Sequence, residues 1–233
     1  MTEAVTIKAF AFDLDGTLID SVADLAAAAN HMRSALNLAP LPSDTITAYV
    51  GDGISTLVHR CLTDSTDGQA EASLWQQGFT LFIQHYYAHL TDLTQIYPNV
   101  LTGLELLKSE GYPLVVITNK SERFAIKAIT DLGMSDYFSL IIGGDTLPEK
   151  KPSPTPILHA CEVLNILPAE LVMVGDSGND ILAAKAAGTP VIGVNYGYED
   201  MYELSQNDAT KPNLVIEKLT QLFDYLHPSE IKH

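Results

Sequence analysis

The period of the hydrophobic positions changes twice along the chain. Residues 7–12 are a short apolar run that stops at Asp13-Leu14-Asp15-Gly16-Thr17, as a buried strand does when it presents its carboxyl end. From Ser21 to Leu90 the period is helical. Val22, Leu25, Ala26, Ala29, Met32 and Leu36 keep one face, with Ser21 and Asp24 spaced as a helix cap and Pro40 and Pro42 as the stop. A short helix over 43–50, a break at Gly51-Asp52-Gly53, a helix over 54–62 and a polar loop over 63–69 follow. Trp75, Phe79, Phe82, Ile83, Tyr86, Tyr87 and Leu90 then form one stripe on a longer helix, which predicts core packing rather than a cofactor box.

Beyond Tyr97 the pattern alternates between helix and strand. Strands are expected over 114–117, 140–142, 171–174, 191–194 and 214–216, and helices over 100–110, 122–132, 154–164, 180–187 and 218–226, with Gly111, Gly133 and Gly188 as stops. Strands separated by helices imply a parallel sheet with right-handed crossovers. The expected fold class is α/β: a Rossmann-like three-layer core over 1–19 and 93–233, with an all-helical cap domain over 20–92 inserted after the first strand. Residues 17–21 and 92–98 serve as the two linkers.

Composition narrows the function. With 233 residues, 46% of them hydrophobic and 18% charged, the chain can bury a full core. No apolar run approaches the ~18 residues of a membrane span, and Met1 to Val5 lacks the basic start of a signal peptide, so a soluble cytoplasmic protein without a membrane partner is expected. A net charge of −16 argues against a nucleic-acid partner. Cys61 and Cys161 are too few and too isolated for a disulfide framework or a zinc site. Oligomeric state stays open between monomer and homodimer.

The candidate chemistry lies where predicted strands end. Asp13 and Asp15 are two residues apart, so on an extended backbone they point the same way. An Asp-Gly hairpin turn would explain them too, but a helical stretch follows where a second alternating strand is required. Other strand ends carry Thr118-Asn119, the loop to Lys150-Lys151-Pro152, and Asp176 with Asp180. Carboxyl ends of parallel strands converge, so these residues can build one site. Oxygen ligands without His or Cys suit a hard ion, and Mg²⁺ is the expected cofactor. Taken singly, Thr118-Asn119 and Asp176-Ser177 also read as helix caps, and Lys151-Pro152 as the end of a surface loop. His85 and His89 have the i, i+4 spacing of zinc ligands on a helix, but with no carboxylate expected nearby they read as a solvated face. His31, His59, His159, His227 and His233 join no constellation.

Asp13-Leu-Asp-Gly-Thr-Leu, Thr118-Asn119, Lys151-Pro-Ser-Pro and Gly175-Asp-Ser-Gly-Asn-Asp180 resemble, in order and spacing, the four signature motifs of the haloacid dehalogenase superfamily of phosphohydrolases. The resemblance covers essentially the whole chain, with the helical block in the position of that superfamily's cap. It implies that Asp13 is the nucleophile and forms an aspartyl-phosphate, with Asp15 as general acid and then base. Thr118 and Lys151 would hold the phosphoryl oxygens with help from Asn119. Asp13, the Asp15 carbonyl and Asp176 would ligate Mg²⁺, and Asp180 would ligate through water or orient Lys151. Within the superfamily the pattern is most similar to bacterial phosphoglycolate phosphatases, which share the Thr-Asn-Lys cluster, the Gly-Gly-Asp and Lys-Lys-Pro run, and a cap turn like Gly51-Asp52-Gly53. That implies a small phosphorylated metabolite, 2-phosphoglycolate, whose carboxylate would meet the cap turn and a cation from among Arg60, Lys120 and Arg123. Lys150 competes with Lys151 for its role. A sugar phosphomutase, a broad sugar or nucleotide phosphatase, and a non-catalytic binding protein are the alternatives.

Overall fold

The computed structural model describes residues 6–226; the first five residues, His227 and His233 lie outside that range. Strand β1 (Ala9–Phe12) leads through β2 (Ile19–Asp20) into helices α1 (Val22–Ala35), α2 (Ser43–Thr47), α3 (Ile54–Thr63) and α4 (Ala72–Ala88), and returns through β3 (Gln95–Ile96). Then come α5 (Val100–Ser109), β4 (Leu114–Ile117), α6 (Glu122–Asp131), β5 (Leu140–Ile142) and α7 (Thr155–Leu164). The chain closes with β6 (Leu171–Gly175), α8 (Gly178–Ala187), β7 (Val191–Val194), α9 (Met201–Leu204), β8 (Leu214–Ile216) and α10 (Gln221–Leu226).

Six strands form one parallel sheet in the order β5-β4-β1-β6-β7-β8. The chain leaves β1 toward β4 and β5 on one side and toward β6, β7 and β8 on the other, so the topological switch lies beside β1, where open α/β sheets bind ligands. Every residue of β1, β4, β6 and β7 is buried, because helices cover both faces; this is why these strands are continuous apolar runs rather than alternating ones. Phe10 and Phe12 pack with α5 and α6, whereas Ala9 and Ala11 pack with α7 and α8. The result is the expected three-layer α/β arrangement.

Helices α1 to α4 lie between β2 and β3, and their core is continuous with the Phe10/Phe12 side of the sheet. Gly78 lets α4 approach closely: a Cβ there would stand 3.0 Å from both Met32 Sδ and Leu62 Cδ1. Phe82, Tyr86 and Leu90 of the predicted stripe are buried, whereas Tyr87 is exposed and carries the Arg123 guanidinium 4.0 Å over its ring.

The linkers pair as an antiparallel ribbon, Ile19 with Ile96 and Asp20 with Gln95. Two local expectations are corrected. Asp24 and Ser21 do not form a helix cap: Ser21 makes no side-chain cap bond. The buried Asp24 carboxylate instead accepts the Leu93 N–H (3.1 Å), the Thr94 N–H (2.7 Å) and the Thr94 hydroxyl (2.6 Å), fastening the second linker to α1. Three convergent donors offset the cost of burying that charge better than one cap bond would. A true capping box starts α8, where Ser177 and Asp180 bond reciprocally, and it moves that helix start two residues ahead of the expected Asp180. No helix among the described residues is long and apolar enough to cross a membrane.

Candidate active site

Asp13 directly follows β1, and its Oδ1 accepts the Leu14 N–H at 2.7 Å. The Lys151 ammonium lies 2.9 Å from the same oxygen and 2.6 Å from Asp180 Oδ1. The other Asp180 oxygen accepts the Ser177 N–H (3.0 Å) and hydroxyl (2.6 Å), so Asp180 is fully engaged and fixes the Lys151 side chain. Asp176 accepts the Thr17 hydroxyl (2.9 Å) on one oxygen and the Tyr198 N–H (2.8 Å) on the other. Two glycines make room for it. A Cβ on Gly16 or on Gly197 would come within 2.2 Å of Asp176, and Gly16 also has φ of +86°.

Asp13, Asp15, Asp176, Thr118, Asn119 and Lys120 line one cavity of about 180 Å³. Leu25, Val50, Ile54 and Leu57 of the helical block form its apolar wall. Thr118 Oγ1 accepts the Lys120 N–H at 3.1 Å, which leaves the Thr118 proton for donation. The Asp15 carboxylate meets the Lys120 ammonium through both oxygens (2.9 and 3.0 Å) and takes the Ser21 hydroxyl at 2.5 Å.

Burial pushes the Asp13 carboxyl up to about 7, with Lys151 working against the rise and Asp180 adding to it. Asp176 is raised well above the usual carboxylate range by burial, then by Asp13 and Asp180. Burial alone would lower Lys151, but Asp13 and Asp180 outweigh it and hold the ammonium charged. Asp13, Asp176 and Asp180 can each place an oxygen within 4.8 Å of the others. The Lys151 ammonium pairs with Asp13 and Asp180, so ionising all three crowded carboxylates calls for further positive charge, and the donors are all oxygen. That arrangement fits a hard divalent cation. The Asp15 carboxylate stands outside this set.

Other expected site residues are placed differently. Asn119 spends its side-chain amide on the Gly51 (3.0 Å) and Lys151 (2.9 Å) carbonyls, so it ties the turn of the helical block to the lysine loop rather than offering that group to a phosphate. Gly51 and Gly53 line the cavity, but Asp52 does not; its carboxylate bonds Arg60 (2.7 Å) and Asn179 (3.0 Å). Lys150 donates to the Asp52 carbonyl at 2.5 Å and so does not share the place of Lys151. Arg60 is occupied with Asp52, Tyr49 and Thr66, and Arg123 with Tyr87; Lys120 lines the cavity, but its ammonium is engaged by both Asp15 oxygens and the Tyr86 hydroxyl. Tyr86, Ser21, Asn179 and Tyr198 were not expected around the site. Periodicity assigns the first two to the stripe and the cap pattern, while Asn179 lies inside the Gly175–Asp180 motif and Tyr198 well beyond it, neither with a signal of its own.

Cys61 and Cys161 are buried free thiols, Cys61 pushed up to about 12 by burial, as inert packing groups are. The expectation that His85 and His89 have no carboxylate near them is corrected by Asp92, 2.7 Å from His89 Nδ1. The His31, His85 and His89 rings lie in series, tilted against one another, with centroids 4.4 and 4.6 Å apart.

Comparison with known proteins decides the family: the haloacid dehalogenase-like hydrolase pattern matches residues 10–194. The chain belongs to that family. It is similar to the phosphoglycolate phosphatase of Neisseria meningitidis, 54% identical over 97% of this chain and 96% of that one, and to the phosphoglycolate phosphatase of Chromobacterium violaceum, 53% identical over 94% and 96%. A crystal structure of a predicted phosphoglycolate phosphatase from Haemophilus somnus superposes with a TM-score of 0.87 at 32% identity, covering 94% of this chain and 97% of that one.

Proposed function

We propose that this hydrolase removes the phosphate of 2-phosphoglycolate, releasing glycolate, through a phosphoryl ester on Asp13. The observation that carries the reading is a cavity lined by Asp13, Asp15, Thr118 and Asp176, with the Lys151 ammonium 2.9 Å from Asp13 Oδ1. A phosphoryl group at Asp13 would meet the Lys151 ammonium and the Thr118 hydroxyl. A cavity of about 180 Å³ suits 2-phosphoglycolate better than a nucleotide. The names of the relatives point to the same substrate.

Asp13 attacks phosphorus in line, and Asp15 gives a proton to the departing alkoxide. Asp15 then takes a proton from the water that hydrolyses the ester on Asp13. Lys151, held by Asp180, and Thr118 stabilise charge on the equatorial oxygens throughout. Asp13 and Asp176 would hold Mg²⁺ with the Asp15 carbonyl, and the ion would neutralise the crowded carboxylates enough for a phosphate dianion to approach. The block over 20–92 is a cap over the core of 1–19 and 93–233: its turn at 51–53 and its Leu25 and Leu57 exclude water from the transfer.

A phosphate-release screen over small phosphorylated acids, sugars and nucleotides, run with Mg²⁺, tests this. A strong preference for 2-phosphoglycolate is expected. Equal efficiency across many esters would contradict the substrate assignment, and bisphosphate-stimulated isomerisation with little free phosphate would make the protein a mutase.

A further inference from the structure

Tyr86 lies in the last helix of the inserted block, yet its hydroxyl reaches the catalytic end of the sheet. It stands 2.6 Å from the Lys120 ammonium, which also lies 5.1 Å over its ring. Tyr86 is fully buried and Lys120 is 5% exposed, so neither contact is diluted by water. The same ammonium bonds both oxygens of Asp15. A second contact comes from the other end of the block, where Ser21, just before α1, gives its hydroxyl to Asp15 Oδ1. The Tyr198 hydroxyl in turn lies 2.9 Å from the Ser21 N–H, which donates to it. Asp15 and Lys120 belong to the core, but the hydroxyls that hold them enter from both ends of the helical block.

We propose that Tyr86 is a positioning residue: it holds Lys120 on Asp15, and with Ser21 makes the aim of Asp15 depend on the helical block being seated. This rests on the general-acid role of Asp15 given above. A displaced block withdraws the Tyr86 hydroxyl and the Ser21 hydroxyl together, leaving Asp15 attached only to a lysine free to swing. Proton delivery to a leaving alkoxide then fails, whereas attack by Asp13, held by Lys151 and the core, is unaffected. The chemistry is thereby confined to the closed arrangement without any residue of the block touching the phosphoryl group.

The distinguishing probe is the leaving group. In 2-phosphoglycolate the departing oxygen is an alkoxide that needs the proton of Asp15; in acetyl phosphate it is a carboxylate that needs none. Tyr86→Phe, which removes only the hydroxyl, should lower kcat/KM for 2-phosphoglycolate about tenfold and for acetyl phosphate by less than about twofold. Ser21→Ala should show the same split, and Asp15→Asn a larger one. Equal losses on both substrates in Tyr86→Phe and Ser21→Ala, or no loss on either, would overturn the proposal while an Asp15→Asn split leaves the acid role standing. An Asp15→Asn variant with no split would instead contradict the proposed function itself. Thermal midpoints of the variants separate misfolding, which lowers both activities in proportion to the unfolded fraction, from the predicted selective loss.

Discussion

Lys151 Nζ and Asp180 Oδ1 lie 2.6 Å apart with side-chain exposures of 1% and 0%, a wholly buried ion pair at the carboxyl end of the sheet. Such pairs contribute little net stability, but removing one partner strands the other. Lys151→Met leaves Asp13 and Asp180 without their ammonium and is expected to destabilise the metal-free fold by about 3 kcal/mol and to cost roughly a thousandfold in kcat. Asp180→Asn should cost roughly a hundredfold. If Asp180 acts through Lys151, the double variant will be no slower than Lys151→Met alone, which steady-state kinetics on all three proteins checks.

Gly16 is predicted to tolerate no side chain. Its positive φ and the 2.2 Å approach to Asp176 mean that Gly16→Ala must displace that carboxylate or the turn after Asp15. Activity should fall at least a hundredfold and the Mg²⁺ requirement should rise; wild-type metal affinity by calorimetry would show that Asp176 is not confined in this way.

The crowding of Asp13 couples stability to pH and metal. Its carboxyl titrates near 3.8 in the unfolded chain and about 7 in the folded one, so the stability it contributes is whole below the first value and is lost as pH rises through the second. A divalent ion at the site replaces the proton that is lost. Added Mg²⁺ should therefore raise the thermal midpoint more at about pH 8 than at about pH 5; equal shifts would separate the ion from Asp13.

His85 has the opposite sign. Burial first, then the neighbouring His31 and His89, hold its imidazole below the ordinary 6.5, and its Nδ1 is buried without a partner. The unfolded chain takes up that proton first, so stability is whole above 6.5 and is lost as pH falls through the lower folded value. With Mg²⁺ in excess, urea midpoints should drop from about pH 7.5 to about pH 5.5, and His85→Gln should flatten the drop. Parallel curves for the two proteins would show that the His85 imidazole titrates independently of folding.

The sheet was legible because its central strands are buried on both faces and so print as uninterrupted apolar runs, three of them ending at a polar cluster: Phe12 before Asp13, Ile117 before Thr118, Gly175 before Asp176. Parallel topology then brings those ends together without any further information. What was hidden depends on contacts across sequence distance. Ile19-Asp20 and Gln95-Ile96 are too short to show a period, so their pairing is invisible until both are in place. Asp24 has the spacing of a cap residue, and only the arrival of Leu93 and Thr94 gives its carboxylate better partners. Tyr86 belongs to an apolar stripe by periodicity, and nothing local reveals that its hydroxyl meets Lys120 across 34 positions. Arg60 looked free for a substrate because the Tyr49 carbonyl and the Asp52 carboxylate that occupy it are brought close only by the fold.

The account stands or falls on whether Asp13 carries the phosphoryl group. Rapid acid quench during turnover of 2-phosphoglycolate with Mg²⁺, followed by peptide mass spectrometry, should find one phosphorylated residue, Asp13, at a stoichiometry that rises in Asp15→Asn if that variant slows hydrolysis of the ester. A phosphoryl adduct on another residue, or a fully active enzyme with Asp13 replaced by Asn, would contradict it.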